Sequence, residues 1–98
     1  MENMVSILAA VISSRRVITF WYDYLHREVE PWCVWQVAHH HLLRGRQIGG
    51  PSRSGRLDAP KLWRLDSMTG LVVTAQVFVV PATYKRDDRR MWRIYAQL

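Results

Sequence analysis

Apolar positions near the start of the chain recur every three or four residues. Met4, Ile7, Leu8, Val11 and Ile12 form one stripe, which predicts an amphipathic helix over about residues 3–15. Ser13-Ser14-Arg15-Arg16 follows, with the two arginines placed to oppose the negative end of the helix dipole. The period then changes. "VITFWY" is β-branched and aromatic, as a strand requires, and "DYLHR" is expected to turn the chain. "EVEPWCVWQV" alternates only in part, and Pro31 favours an edge or a strand start. "HHHLLRGRQI" predicts a third strand, and "GGPSRSGRLDAP" a loop rich in Gly, Pro and Ser. "KLWRLDSM" and "LVVTAQVFVV" read as the last two strands, separated by a turn at Thr69-Gly70. In the basic tail, residues 82–98, Met91, Tyr95 and Leu98 favour a C-terminal helix, although "MWRIYAQL" also suits a strand.

One helix followed by about five short strands, lying within about residues 17–80, predicts a mainly β fold. The order suits a small antiparallel barrel or sandwich with the helix over one opening or face. The 98 residues make a single domain, and 49% hydrophobic content with five Trp argues for a packed core. Most of the aromatic rings are expected in that core. Cys33 is the one cysteine, which excludes an internal disulfide and reads as a small buried apolar residue. No apolar run approaches the ~20 residues of a membrane span. The first residues lack the basic start and cleavage site of a signal peptide, so a cytoplasmic, soluble protein is expected.

Charge adds a direction. Fourteen Lys and Arg against eight acidic residues give +6, nearly all of the excess being arginine, the residue of bidentate phosphate contact. Between Leu43 and Asp66 stand Arg44, Arg46, Arg53, Arg56, Lys61 and Arg64, against Asp58 and Asp66. Arg44 and Arg46 share one strand face. With Arg64 on a neighbouring strand, the three guanidiniums would converge on one anion-binding surface. Trp21, Tyr22, Trp32, Trp35 and Trp63 lie close in sequence, and rings among arginines suit stacking on single-stranded bases.

The histidine run invites a metal reading. On a strand His39 and His41 would share a face, but two imidazoles are half a zinc site, and only His26 and Cys33 remain to complete it. No metal or other cofactor is therefore expected. Nor do the serines and carboxylates form a nucleophile–base arrangement, and "GGPSRSG" lacks the Lys-Ser/Thr of a phosphate loop. The sequence reads as a binding module without catalytic residues.

Several motifs together resemble the WYL domain of bacterial ligand-responsive regulators, over roughly residues 4–80. Tyr22 closes the first strand, and Arg27 precedes Val29-Glu30-Pro31 as the family's Arg precedes its Pro. The Trp-Tyr-Leu slot reads His41-Leu42-Leu43, followed by Arg44-Gly45. "KLWRLDSM" matches Arg-x-Phe-x-Leu-Asp-Arg-Ile, with Lys61 and Ser67 in place of the two arginines. The resemblance implies an Sm-like antiparallel β-barrel of about five strands. It also implies a nucleic-acid or nucleotide-type ligand, with roles in regulating transcription, CRISPR or other phage defence. The expected ligand residues are Tyr22, Arg27, His41, Arg44, Arg46, Lys61 and Arg64. Expected partners are single-stranded DNA or RNA or a nucleotide, a second copy in a homodimer, and a larger regulatory or defence protein. The alternative is a protein-interaction or dimerisation module, working through exposed strand edges and the basic tail, with no nucleic-acid ligand.

Overall fold

The structure is a computed structural model that describes residues 2–50, 60–82, 84 and 94–98. Helix α1 (Glu2–Ser14) is followed by β1 (Arg16–Tyr22), β2 (Leu25–Val37), β3 (His40–Gly49), β4 (Pro60–Arg64), a 3-10 turn (Leu65–Ser67), β5 (Thr69–Val77) and β6 (Ile94–Gln97). The predicted arrangement, mainly β with one N-terminal helix and antiparallel pairing, is what forms. The strands run β4-β3-β2-β1-β5, and β6 pairs with β2 off that path.

The expected barrel is not closed by the sheet. Among the described residues, β4 and β5 end the path without pairing to each other. The chain crosses between them through Leu65–Met68, and buried Leu65 and Met68 join the main core. Leu8, Val11 and Ile12 of α1 join Ile18, Phe20, Val29, Val34, Leu43 and Trp63 in the main core. Arg15, just past the helix, takes φ 55° and donates its amide to the Ile12 carbonyl, ending α1 in a left-handed cap.

Pro31 lies in the middle of a central strand, contrary to the edge position expected. β3 pairs along β2 from Glu28 to Val37, while the other side of β2 pairs with β1 through Leu25–Val29 and then with β6 through Cys33–Trp35. Pro31 falls where the neighbour changes, and the register with β3 shifts between Pro31 and Cys33. A proline without an N–H is tolerated at such a bulge. The bulge has a second effect: core-facing positions switch from Arg27 and Val29 to Val34, and Trp32 turns to a smaller core with Val17 and Phe78.

Other boundaries moved as well. The β1–β2 turn is only Asp23-Tyr24, both with positive φ, so Leu25, His26 and Arg27 of the expected turn already belong to β2. "KLWRLDSM" is a strand only to Arg64, and Thr69-Gly70 opens β5 where a turn was expected, because the 3-10 turn reverses the chain earlier. Residues 94–97 are a strand, not the end of a helix. The "GGPSRSGRLDAP" loop and most of the basic tail lie outside the described residues.

Tyr24 is 95% exposed at φ 62°, in a two-residue hairpin whose geometry favours Asn-Gly. A left-handed conformation costs a residue with a Cβ roughly 1–2 kcal/mol. Tyr24→Gly is therefore expected to stabilise the fold by about 1 kcal/mol, raising the melting temperature by roughly 4–8 °C. A lowered melting temperature would mean the ring holds the turn by a contact.

Candidate functional site

Strand alternation divides the seven expected ligand residues between the two faces of the sheet. Tyr22, Arg27, His41 and Lys61 belong to the core-facing rows, in step with Phe20, Val29, Leu43 and Trp63. Arg44, Arg46 and Arg64 belong to the opposite face. The single cluster expected from sequence is thus two clusters back to back.

On the inner face, Arg27 is only 4% exposed. Its Nη1 donates to Gln47 Oε1 at 3.3 Å and its Nη2 to the Tyr22 carbonyl at 3.1 Å, while the Tyr22 ring centroid lies 5.8 Å from the guanidinium carbon. Gln47 is buried too, and its Nε2 donates to the carbonyls of Gly49 and Gly50. Those two bonds fix the amide so that its oxygen points at Arg27. Every partner of the guanidinium is neutral, its Nε has none, and no carboxylate of the described residues pairs with it.

Lys61 lies across from Gly45 on β3, in the same inward row. Burial and the positive charge of Arg27 together hold its ammonium below the usual lysine range. Tyr22 ties this corner to β4, because its Oη accepts the Arg64 backbone N–H at 3.2 Å. Beside it an open cleft of about 450 Å³ is lined by Trp21, Tyr22, Asp23, Tyr24, Ser67 and Thr69. His41, at the other end of β3, packs against Tyr95 with ring centroids 5.4 Å apart and does not join the Arg27 corner.

On the outer face the three arginines share one side of the sheet, with the Arg64 guanidinium turned to His40 and Asp66. Leu42 pairs with Arg64, Arg44 with Leu62 and Arg46 with Pro60, so Arg44 and Arg64 are diagonal neighbours beside Arg46. Arg64 donates to Asp66 Oδ2 at 2.8 Å and to His40 Nδ1 at 3.0 Å; arginine is donor only, so Nδ1 is the acceptor. The Arg64 hydrogen bond holds the Asp66 carboxyl below the usual carboxylate range. The stabilisation from this pair is present above the unfolded carboxylate pKa and disappears as pH falls through the lowered folded value.

Sequence reasoning missed Gln47, the pairing of Arg64 with His40 and Asp66, and Asp23, Tyr24 and Thr69 of the cleft. Alternation from the buried Leu43 would have flagged Gln47 as an inward polar residue. His39 lies in the turn before β3, so it does not share a strand face with His41. Cys33 is buried and His26 packs on Trp21. Among the described residues no three His, Cys, Asp or Glu side chains gather in a metal-binding group. No helix of the described residues is long and apolar enough to cross a membrane. Comparison of the chain with family models, with curated proteins and with solved structures finds no match.

Proposed function

We propose that this chain is a non-catalytic ligand-binding module of the WYL type, which takes a phosphate-bearing ligand, a nucleotide or single-stranded nucleic acid, at the Tyr22–Arg27–Lys61 corner. One observation carries the reading. Arg27 is a buried cation with neutral partners only, and a second cation stands beside it. Removing a charge from water costs several kcal/mol unless an opposite charge offsets it. A phosphate seated at Lys61 and Tyr22, which are both half-buried, would supply that charge and turn the Arg27–Lys61 repulsion into a shared attraction. The adjoining cleft, with Trp21, Tyr22 and Tyr24 on its wall, offers rings for a base. The role as the sensing part of a regulator of transcription or of phage defence rests on the WYL resemblance of Tyr22, Arg27 and the Lys61–Met68 motif.

Arg44, Arg46 and Arg64 support an extension of the same reading, in which a polynucleotide continues across the outer face. Titration of a fluorescent mononucleotide and of single-stranded oligonucleotides, followed by anisotropy over a salt series, separates the two surfaces. Lys61→Met is expected to weaken mononucleotide binding ~10-fold or more, the loss of one charge-assisted contact. Arg44→Ala/Arg46→Ala is expected to leave mononucleotide binding unchanged. It should weaken oligonucleotide binding and flatten the salt slope by about 1.4, two single-strand phosphate contacts. Failure of every phosphate-bearing ligand to bind would overturn the proposal.

A further inference from the structure

The edge of the sheet at β5 has features that phosphate binding does not use. Among the described residues β5 ends the strand path and pairs only with β1. No charged residue occurs between Asp66 and Lys85, in a chain of net charge +6. Val72 is 56% exposed, Val73 40% and Val77 65%, and these positions lie on both faces of the strand. A groove between α1 and β5, lined by Ile7, Ala10, Val11, Ser14, Arg16 and Val73, adds the exposed side of Ile7 to the same apolar surface.

Natural sheets guard such edges with charge, proline or short strands. The opposite edge of this sheet is guarded in that way, since β4 carries Pro60, Lys61 and Arg64 within its five residues. β5, nine residues long, carries none of these protections.

We propose that β5 pairs with β5 of a second copy of this chain, antiparallel about a twofold axis centred on Val73. A basic chain repels its own copy wherever charge meets charge, so self-association favours the edge from which charge is missing. In this register Val73 faces Val73 of the partner, and Thr69 faces Val77. Among the described residues the charge paired with the strand is Arg16, opposite Val77. The two Val77 positions fall at opposite ends of the paired stretch, about 26 Å apart at ~3.3 Å per residue. That distance exceeds a Debye length of about 8 Å, so the two arginines scarcely repel. The twofold contact consumes the unguarded edge of both copies, and the guarded β4 edges stop further growth. The assembly is a closed dimer, and it does not depend on the Arg27–Lys61 ligand.

Light scattering after size exclusion, without ligand and over about 1 to 100 µM protein, tests this. The wild-type chain is expected to shift from monomer to dimer with concentration, and Val73→Lys to remain monomeric with unchanged circular dichroism. An independent readout uses single thiols, because Cys33 is buried. A short bis-maleimide should join two copies of Val73→Cys at the axis and leave Thr69→Cys unjoined, since its two thiols lie at opposite ends. A wild-type chain monomeric throughout, a Val73→Lys dimer, or equal cross-linking at both positions would each overturn the proposal.

Discussion

Replacing Gly45 with alanine is expected to destabilise the fold by at least ~3 kcal/mol, a fall in melting temperature of at least about 12 °C. Gly45 sits on β3 opposite Pro31, on the inward row where β2 bends. A Cβ built there would lie 2.3 Å from the Glu30 carbonyl oxygen and 3.1 Å from Val29 Cγ1. The first of these is backbone, held in the longest ladder of the sheet, so relief requires β2 and β3 to separate. Gly49 is the matching control. Its added Cβ would meet the Glu28 carboxylate at 2.8 Å, the far end of a flexible side chain that can swing away. Gly49→Ala is expected to cost under ~1 kcal/mol. Equal melting temperatures for the two variants would show that β2 and β3 are not packed this closely at the bend.

Trp63→Ala is expected to cost roughly 3–5 kcal/mol, a large part of the 5–15 kcal/mol available to a domain of this size. Trp63 is 2% exposed, packs edge-to-face on Phe20 at 5.6 Å between ring centroids, and pairs across the sheet with Leu43. It is also the one inward apolar anchor of β4, a five-residue strand at the end of the sheet. Its loss removes core volume and frees the strand that carries Lys61 and Arg64. Urea unfolding measures the first effect. The second predicts weaker nucleotide binding even under conditions where the variant remains folded, with Trp63→Phe recovering most of both. A variant that binds nucleotide as the wild type does would separate β4 from the ligand corner.

What was legible in the sequence follows from how local each signal is. The α1 stripe and the strand character of β1 and β3 are carried by neighbouring residues, and their predicted bounds lie within a residue or two of those that form. Ile7 is the exception in the stripe: it counts as apolar, but it remains exposed beside β5. Residues 94–97 carry too short a pattern to decide between helix and strand. Their conformation comes from pairing with Cys33–Trp35, some sixty positions away, and no local period records that.

The candidate site was legible as a set of residues and not as an arrangement. Tyr22, Arg27 and Lys61 were expected together and do share the inward rows. Arg44 and Arg46 were expected beside them, but a period of two puts them on the other face from Gly45 and Gln47. His41 shares the inward row but sits at the far end of β3. The bulge at Pro31–Cys33 could not be read from spacing, because it depends on a change of neighbour along β2 that only the folded sheet defines.

The central claim, that the Arg27–Lys61 corner receives a phosphate, is tested most directly at the Lys61 ammonium. Its folded pKa lies below the unfolded value, so charged Lys61 weakens the fold at neutral pH, and stability rises with pH between the folded and unfolded values. A bound phosphate reverses the sign of that local field. NMR titration of the Lys61 side chain over alkaline pH, with and without saturating nucleotide, reads the change on the group itself. The account predicts a pKa below that of ordinary lysines in the free protein and an upward shift when nucleotide binds. A Lys61 pKa that is the same with nucleotide bound as without it would contradict the account.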